Sequence, residues 1–227
     1  MMLLEQEAKQ LFSALNPRIS EGAGLVIQFI GSNPNQGTST LAREFAITAA
    51  SLTRQPVLLL NLDVAEQTHH DYFARQPLST GIAAYGTDHD VDVDTRQILR
   101  CSRTDSVNAP MDFVYSGSDS LTLSRLKQPS AASGSLVNAP NFWTSLRKEF
   151  VLTVVDSLPA SKGVDGIMLS ANMDGVVVVI AAESTRAPIV MSLLERLQGQ
   201  GAPILGAVLN KRKFYIPHLI YRWLDRL

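Results

Sequence analysis

A short loop between an apolar strand and an amphipathic helix constrains the fold of this chain more than any other feature. The loop reads Gly31-Ser-Asn-Pro-Asn-Gln-Gly-Thr-Ser-Thr40; it follows the apolar run Leu25–Ile30 and precedes Leu41–Ala50, where apolar residues recur at helical spacing. Strand, glycine loop and helix in this order are typical of a phosphate-binding loop, whose backbone N–H groups and helix N-terminus face an anion. The sequence therefore predicts an anion cradle at residues 31–40 of an α/β fold.

Thr38 stands where such a loop normally carries a lysine, while Ser39 keeps the hydroxyl that ligates magnesium. A unit charge about 4 Å from a phosphate oxygen is worth roughly 4 kcal/mol at an effective dielectric constant near 20. Losing about 4 kcal/mol would turn a micromolar site into a millimolar one. The loop thus indicates nucleotide-binding architecture more firmly than phosphotransfer. The Thr38 hydroxyl either contacts a phosphate or caps the helix, and capping is favoured; Ser39 and Thr40 alternatively only open the helix.

Bulk composition favours one domain over residues 1–227. With 45% apolar residues and a net charge of −1, the chain can bury a full core without metals or disulfides. Cys101 is the single cysteine, so we expect a reducing compartment. The sequence contains neither a signal-peptide pattern nor the roughly eighteen apolar residues of a spanning helix, and we expect a cytoplasmic protein, peripheral at most to the inner membrane.

Apolar runs that alternate with helical segments predict a parallel sheet covered by helices on both faces. The region 67–139 is the least regular, with order expected only at Arg96–Arg100 and Met111–Tyr115. The predicted strands are Leu25–Ile30, Val57–Leu62, Met111–Tyr115, Val151–Val155, Gly175–Ala181 and Leu205–Leu209, and the predicted helices span about 3–15, 38–53, 141–149, 187–199 and 217–226.

Three of the predicted strands end in polar residues, at the sheet edge where ligands bind in open α/β folds. One apolar strand delivers Asp63, and a second ends in Asp156, the position that holds a magnesium-bound water in phosphate-binding-loop proteins. A third strand ends in Asn210, whose amide either contacts a purine edge or is a turn residue. Two aspartates at these positions favour a magnesium site over ordinary loop carboxylates.

These motifs, in this order, resemble those of the MinD/ParA-like P-loop proteins, most closely the cytoplasmic domain of the bacterial tyrosine kinases of capsule and exopolysaccharide export. That family's loop reads approximately T-S-x-x-P-G-E-G-K-S-T, its later signatures D-x-D, I-I-D-T/S-P-P, D-G-V-x-x-V-V and G-x-V-L-N. The chain follows the last two signatures at Asp174–Ile180 and Leu205–Asn210. Asn61-Leu-Asp63 keeps only the second aspartate of D-x-D, and Asp156-Ser-Leu-Pro159 matches its signature at three of four places. In the loop it matches at Ser32, Pro34, Gly37, Ser39 and Thr40, and departs at Asn35, Gln36 and Thr38.

The resemblance implies a P-loop NTPase fold with a site for ATP or ADP and Mg²⁺. Magnesium would lie at Ser39, Asp63 and Asp156, and the two aspartates would be catalytic if the protein is active. Because the lysine is missing, we expect nucleotide binding to be weak or absent. The implied nucleotide-binding residues are Ser32, Asn33, Pro34, Asn35, Gln36, Gly37, Thr38, Ser39, Thr40 and Asn210.

Further departures from the kinases leave two functions open. The kinases oligomerise through an N-terminal helix reading E-x-x-R-x-x-R, and this chain keeps Glu7 but has Gln10 and Ser13 in place of both arginines. They phosphorylate a tyrosine-rich tail, for which the sequence offers Tyr215 and Tyr221. We therefore favour a non-catalytic regulator or scaffold in exopolysaccharide synthesis and export. The alternative is an active ATPase or tyrosine kinase with an atypical P-loop.

The two ends of the sequence suggest partners. Residues 211–227 join a basic cluster to an aromatic helix that either completes the core, the favoured interpretation, or contacts an acidic bilayer or a membrane protein. The resemblance implies a membrane-bound polysaccharide co-polymerase as partner. We hypothesise that Phe214–Leu227, with the helix around Leu4–Leu15 in the arm at residues 1–20, docks the cytoplasmic part of this partner. Self-association is left open, and the sparse basic residues argue against nucleic acid.

Two polar clusters carry less weight. The aspartates of 88–94 lack the central glycine and the terminal glutamate of a calcium loop, so we interpret them as a solvated loop. The pair His69-His70 has no partner at zinc-site spacing and is expected to be a surface turn.

Overall fold

A computed structural model of the chain describes residues 2–19, 24–63, 69, 72–73, 111–115, 120–126, 136–137 and 139–212. The segments expected at 88–94, 96–100 and 217–226 lie outside these residues, as do His70 and Cys101. In chain order the elements are α1 Met2–Ile19, β1 Leu25–Gly31, α2 Thr38–Thr53, β2 Val57–Asn61, β3 Met111–Tyr115, β4 Leu121–Leu126, α3 Pro140–Glu149, β5 Leu152–Asp156, α4 Asp165–Leu169, a 3₁₀ turn Ser170–Asn172, β6 Gly175–Ala181, α5 Ala187–Gly199 and β7 Ile204–Asn210.

The strands form one sheet in the order β3-β4-β2-β5-β1-β6-β7, and every neighbouring pair except one is parallel. The exception is the edge strand β3, which runs antiparallel to β4. The predicted parallel sheet is confirmed for the other strand pairs. Only residues 116–120 separate the two strands. A link of that length closes a hairpin, whereas a parallel crossover needs a dozen residues or more.

Helices cover both faces of the sheet because side chains alternate along each central strand. On β1, Ile27 and Phe29 join the layer formed with α1 and α2, while Val26 and Ile30 join the layer formed with α3, α4 and α5. The continuously buried strands β2 and β5 likewise supply apolar side chains to both layers. The predicted helices on both faces are thereby confirmed.

Helix α1 is part of the domain rather than a free arm. Its residues Ala8, Phe12, Leu15 and Ile19 are buried at helical spacing, and the last three pack in the layer that contains α2. The helix continues past Pro17, four residues beyond the predicted end. Leu15 is therefore part of the core, and the docking role expected for Leu4–Leu15 stays a prediction. In the described part of the chain, no helix is both long and apolar enough to span a membrane.

Candidate functional site

The loop after β1 keeps the backbone shape of a phosphate-binding loop despite its altered sequence. Gly37 adopts a left-handed conformation with φ 85°, and so does Asn35 with φ 61°. Asparagine tolerates this region better than most residues, which explains how Asn35 replaces the family's glycine. Helix α2 begins at Thr38, and the N–H of Leu41 donates to the Gly37 carbonyl at 3.0 Å. Since Gly37 holds the N-cap position, the expected capping role of Thr38 was wrong.

The carboxamide of Gln36 fixes the loop from inside. This side chain is 3% exposed, and its Nε2 donates to Ser32 Oγ at 3.0 Å and to Thr185 Oγ1 at 2.7 Å. Its Oε1 accepts from the N–H of Asn33 at 3.1 Å. These three bonds tie the loop to itself and to the segment after β6, so the loop is held in place before any ligand binds.

A cleft of about 240 Å³ opens at this loop, at the carboxyl edge of the sheet. That is slightly below the roughly 300–1,000 Å³ of typical small-molecule sites. The segments after β2, β5 and β7 complete its wall. Its lining residues are Asn33, Pro34, Asn35, Gln36, Gly37, Thr38, Ser39, Thr40, Asp63, Ser157, Pro159, Lys162 and Lys211. Most predicted site residues are thus brought together, whereas Ser32, Asp156 and Asn210 lie outside the lining.

Asp63 reaches the cleft and carries an ion pair there. Its N–H donates to Asn61 Oδ1 at 2.9 Å, which fixes the turn after β2. Its Oδ2 accepts from Lys162 Nζ at 3.1 Å, with side-chain exposures of 14% and 35% for Asp63 and Lys162. Lys162 comes from the segment after β5, whose N–H groups at Ala160 and Ser161 donate to the carbonyls of Gly31 and Ser32. The cation is therefore held against the phosphate loop by backbone pairing.

Asp156, the second predicted magnesium carboxylate, is buried against a histidine. It ends β5 and is 2% exposed, and its Oδ2 lies 2.9 Å from Nε2 of His69, which is 1% exposed. The remaining oxygen Oδ1 is also buried and has no hydrogen-bond partner in the described structure. The expectation that His69 belongs to a surface turn was wrong. A histidine that pairs with an aspartate 87 residues away leaves no local signal in the sequence.

Arg43 on α2 lies in the same buried region. Its guanidinium carbon is 3.7 Å from the centroid of the Tyr72 ring, a cation–π contact. Desolvation by burial lowers the pKa of Arg43 from its ordinary value, and the charges of Glu44 and Asp156 oppose this shift. The neighbourhood of Asp156 thus contains positive charge supplied by the protein itself.

Asn210 and Lys211, at the end of β7, both contact the phosphate loop. Asn210 is 7% exposed; its Nδ2 donates to the Gln36 carbonyl at 2.9 Å and its Oδ1 accepts from the N–H of Lys211 at 2.8 Å. The purine contact assigned to Asn210 stays a prediction. The ammonium group of Lys211 donates to the Asn35 carbonyl. Lys211 was predicted to belong to the C-terminal basic and aromatic segment and not to this site.

The described residues fit a phosphate group better than they fit magnesium. Backbone amides at the start of α2 and the hydroxyls of Ser39 and Thr40 remain at the cleft. Of the two carboxylates, Asp63 is paired with Lys162 and Asp156 is enclosed with His69. Mg²⁺ prefers carboxylate oxygens and water in octahedral geometry, and here both carboxylates are bonded to basic side chains.

Comparisons with known proteins show the fold. Neither a family model nor a curated protein matches the sequence. The kinase domain of the Escherichia coli tyrosine kinase ETK aligns with 92% of this chain and 76% of its own, at 19% identity and a TM-score of 0.66. The cell division ATPase MinD of Pyrococcus furiosus aligns over 90% and 80%, at 16% identity and a TM-score of 0.55.

A third solved structure was determined with a nucleotide. Cobyrinic acid a,c-diamide synthase from Mycobacterium smegmatis, with bound ADP and magnesium, aligns over 89% of this chain and 81% of its own. The identity is 16% and the TM-score 0.56. The chain therefore has the α/β P-loop NTPase fold that is shared by bacterial tyrosine kinase domains and MinD-like ATPases.

Proposed function

We propose that this chain is a non-catalytic relative of the bacterial tyrosine kinases that acts as a regulator or scaffold in exopolysaccharide or capsule biosynthesis and export. The observation that carries the proposal is the pairing of both magnesium-position carboxylates with basic side chains of the same chain. Lys162 Nζ lies 3.1 Å from Asp63 Oδ2, and His69 Nε2 lies 2.9 Å from Asp156 Oδ2. The likeness to a tyrosine kinase domain and the sequence motifs support the assignment to this pathway.

The magnitudes favour this proposal over catalysis. Breaking the buried hydrogen bond between His69 and the Asp156 carboxylate costs about 3 kcal/mol, the upper end for a buried group that is left unsatisfied. This cost lowers the affinity of a metal that needs this carboxylate roughly 10²-fold. The lysine missing at Thr38 lowers phosphate affinity independently. Each departure weakens a different part of phosphoryl transfer, which depends on positioning and on neutralising charge.

The alternative function is an active ATPase or tyrosine kinase with an atypical P-loop. One observation favours it: Asn35 and Gly37 keep the left-handed backbone of the loop, and Ser39 lies at the cleft. Incubation with Mg²⁺ and ATP separates the two functions. We expect no phosphate release above buffer and an unchanged intact mass. Turnover that Asp156→Ala abolishes, or phosphate on Tyr215 or Tyr221, would establish the alternative.

The proposed partner is the cytoplasmic part of a membrane-bound polysaccharide co-polymerase. Residues 213–227 supply the basic and aromatic side chains typical of interface anchors, and they lie outside the described structure. When the cytoplasmic segment of the co-polymerase is immobilised, it should bind the full chain but not the chain truncated after Arg212. Circular dichroism of the truncated protein is the control, since an unfolded product would assign the segment to the core instead.

A further inference from the structure

The cleft holds positive charge that does not come from the phosphate loop itself. Among the described residues, the ionisable side chains that line it are Lys162, Lys211 and Asp63, and with ordinary ionisation these three carry one net positive charge. The Lys162–Asp63 contact neutralises the carboxylate that would otherwise repel an anion. This charge is assembled from the segments after β2, β5 and β7.

Lys211 is placed to act on the phosphate loop. Its ammonium donates to the carbonyl of Asn35, which uses one of its three N–H donors and leaves two for a ligand. A β-carbon built on Gly37 would lie 3.8 Å from Cε of Lys211, so this side chain passes beside the start of α2. Lys211 also has φ 59°, a left-handed conformation that costs a lysine energy. The bond from its N–H to Asn210 Oδ1 holds it there.

We propose that the cleft binds the phosphate groups of a diphosphate-bearing anion without a divalent cation, and that Lys211 supplies the positive charge missing at Thr38. The loop amides and the N-terminus of the sixteen-residue helix α2 provide the hydrogen-bond donors. Lys211, from the segment after β7, provides a charge-assisted bond beside the loop. This inference rests on the proposed function in one respect. Both assume that the carboxylates of Asp63 and Asp156 stay bonded to Lys162 and His69 and do not bind magnesium.

Binding of inorganic pyrophosphate and of ADP to the full chain, measured by calorimetry at low ionic strength in EDTA, tests the proposal. We expect both to bind, and Lys211→Asn to weaken both about tenfold or more, the loss of a charged hydrogen bond. Asparagine is chosen because it accepts the left-handed backbone of position 211. Lys211→Arg keeps the charge and should retain most of the affinity. If ADP binds more tightly than pyrophosphate, the cleft also recognises the nucleoside. If the two affinities are equal, the cleft recognises the diphosphate group alone.

The matched control is Lys148→Asn, which removes the same charge from an exposed position near the end of α3. That position precedes β5, at the opposite edge of the sheet from the cleft, and should leave binding unchanged. Three results would overturn the inference: no pyrophosphate binding by the wild type in EDTA, binding that requires Mg²⁺, or equal losses in Lys211→Asn and Lys148→Asn. The first of these leaves the proposed function standing, since a protein without turnover need not bind an anion. ATP hydrolysis would contradict the proposed function instead.

Discussion

The buried pair His69–Asp156 gives the sharpest prediction about the site. We expect His69→Leu, which fills much of the same volume but offers no hydrogen bond, to lower the free energy of unfolding by about 3 kcal/mol or more. The side chains of His69 and Asp156 are 1% and 3% exposed, and Asp156 Oδ1 already lacks a partner. Removing His69 takes away the hydrogen bond to Asp156 Oδ2, and a buried polar group left unsatisfied costs about 1–3 kcal/mol, or more when it is charged.

The measurement is urea unfolding followed by far-ultraviolet circular dichroism and by tryptophan fluorescence, since Trp143 is buried in the core. In a chain of this size, a loss of about 3 kcal/mol lowers the melting temperature by roughly 6–12 °C. A double-mutant cycle with Asp156→Asn isolates the pair, and we expect a coupling energy of about 1–3 kcal/mol.

The pair Lys162–Asp63 is the matched comparison, because it lies at the same edge of the sheet but is partly exposed. Lys162→Ala should cost about 1 kcal/mol or less, since solvent screens exposed pairs. If His69→Leu costs no more than Lys162→Ala, then Asp156 is hydrated in the folded protein. Asp156 would then be available to bind a metal ion, which would contradict the proposed absence of magnesium chemistry.

Substitutions at three positions test the loop and the cleft. Thr38→Lys should tighten pyrophosphate binding at least tenfold because the cradle keeps its shape, and an unchanged affinity in calorimetry would show that the cradle is lost. Asn35→Ala should destabilise the protein by about 1 kcal/mol while Asn35→Gly is near neutral, since φ is 61° at this position; equal melting temperatures for the two variants would contradict the left-handed assignment. Lys162→Ala exposes the Asp63 carboxylate to the anion, so pyrophosphate affinity in EDTA should fall a few-fold and added Mg²⁺ should recover part of it; tighter binding in EDTA would refute the role given to this pair.

Local patterns predicted most of the central sheet. Strands β1, β2, β5 and β6 are apolar runs whose length and β-branched composition distinguish them from helices, and their ends differ from prediction by a residue or so. Strand β4 was missed because Leu121–Leu126 lies in a polar region of the sequence. Leucines alternate with Thr122 and Ser124, but Arg125 interrupts the alternation. The short link from β3 was the available signal, since residues 116–120 can join only antiparallel neighbours.

The parts of the site that were predicted are those formed by motifs that are contiguous in the sequence. The loop at 31–40 and the strand-end residue Asp63 do meet in one cleft. The pairing of Asp156 with His69, of Asp63 with Lys162 and of Asn35 with Lys211 joins residues 87, 99 and 176 positions apart. Such contacts are set by tertiary packing, which has no periodicity along the chain. The first two contacts also decide whether the carboxylates of Asp156 and Asp63 can bind a metal ion.

Titration of ATP into the full chain, once with Mg²⁺ and once with EDTA, tests the central claim most directly when phosphate release is followed in parallel. We expect weak binding, in the range from hundreds of micromolar to millimolar, that magnesium does not tighten, and no release above buffer. Micromolar affinity that depends on Mg²⁺, or turnover that disappears in Asp156→Ala, would show that the paired carboxylates open to a metal and would contradict the account.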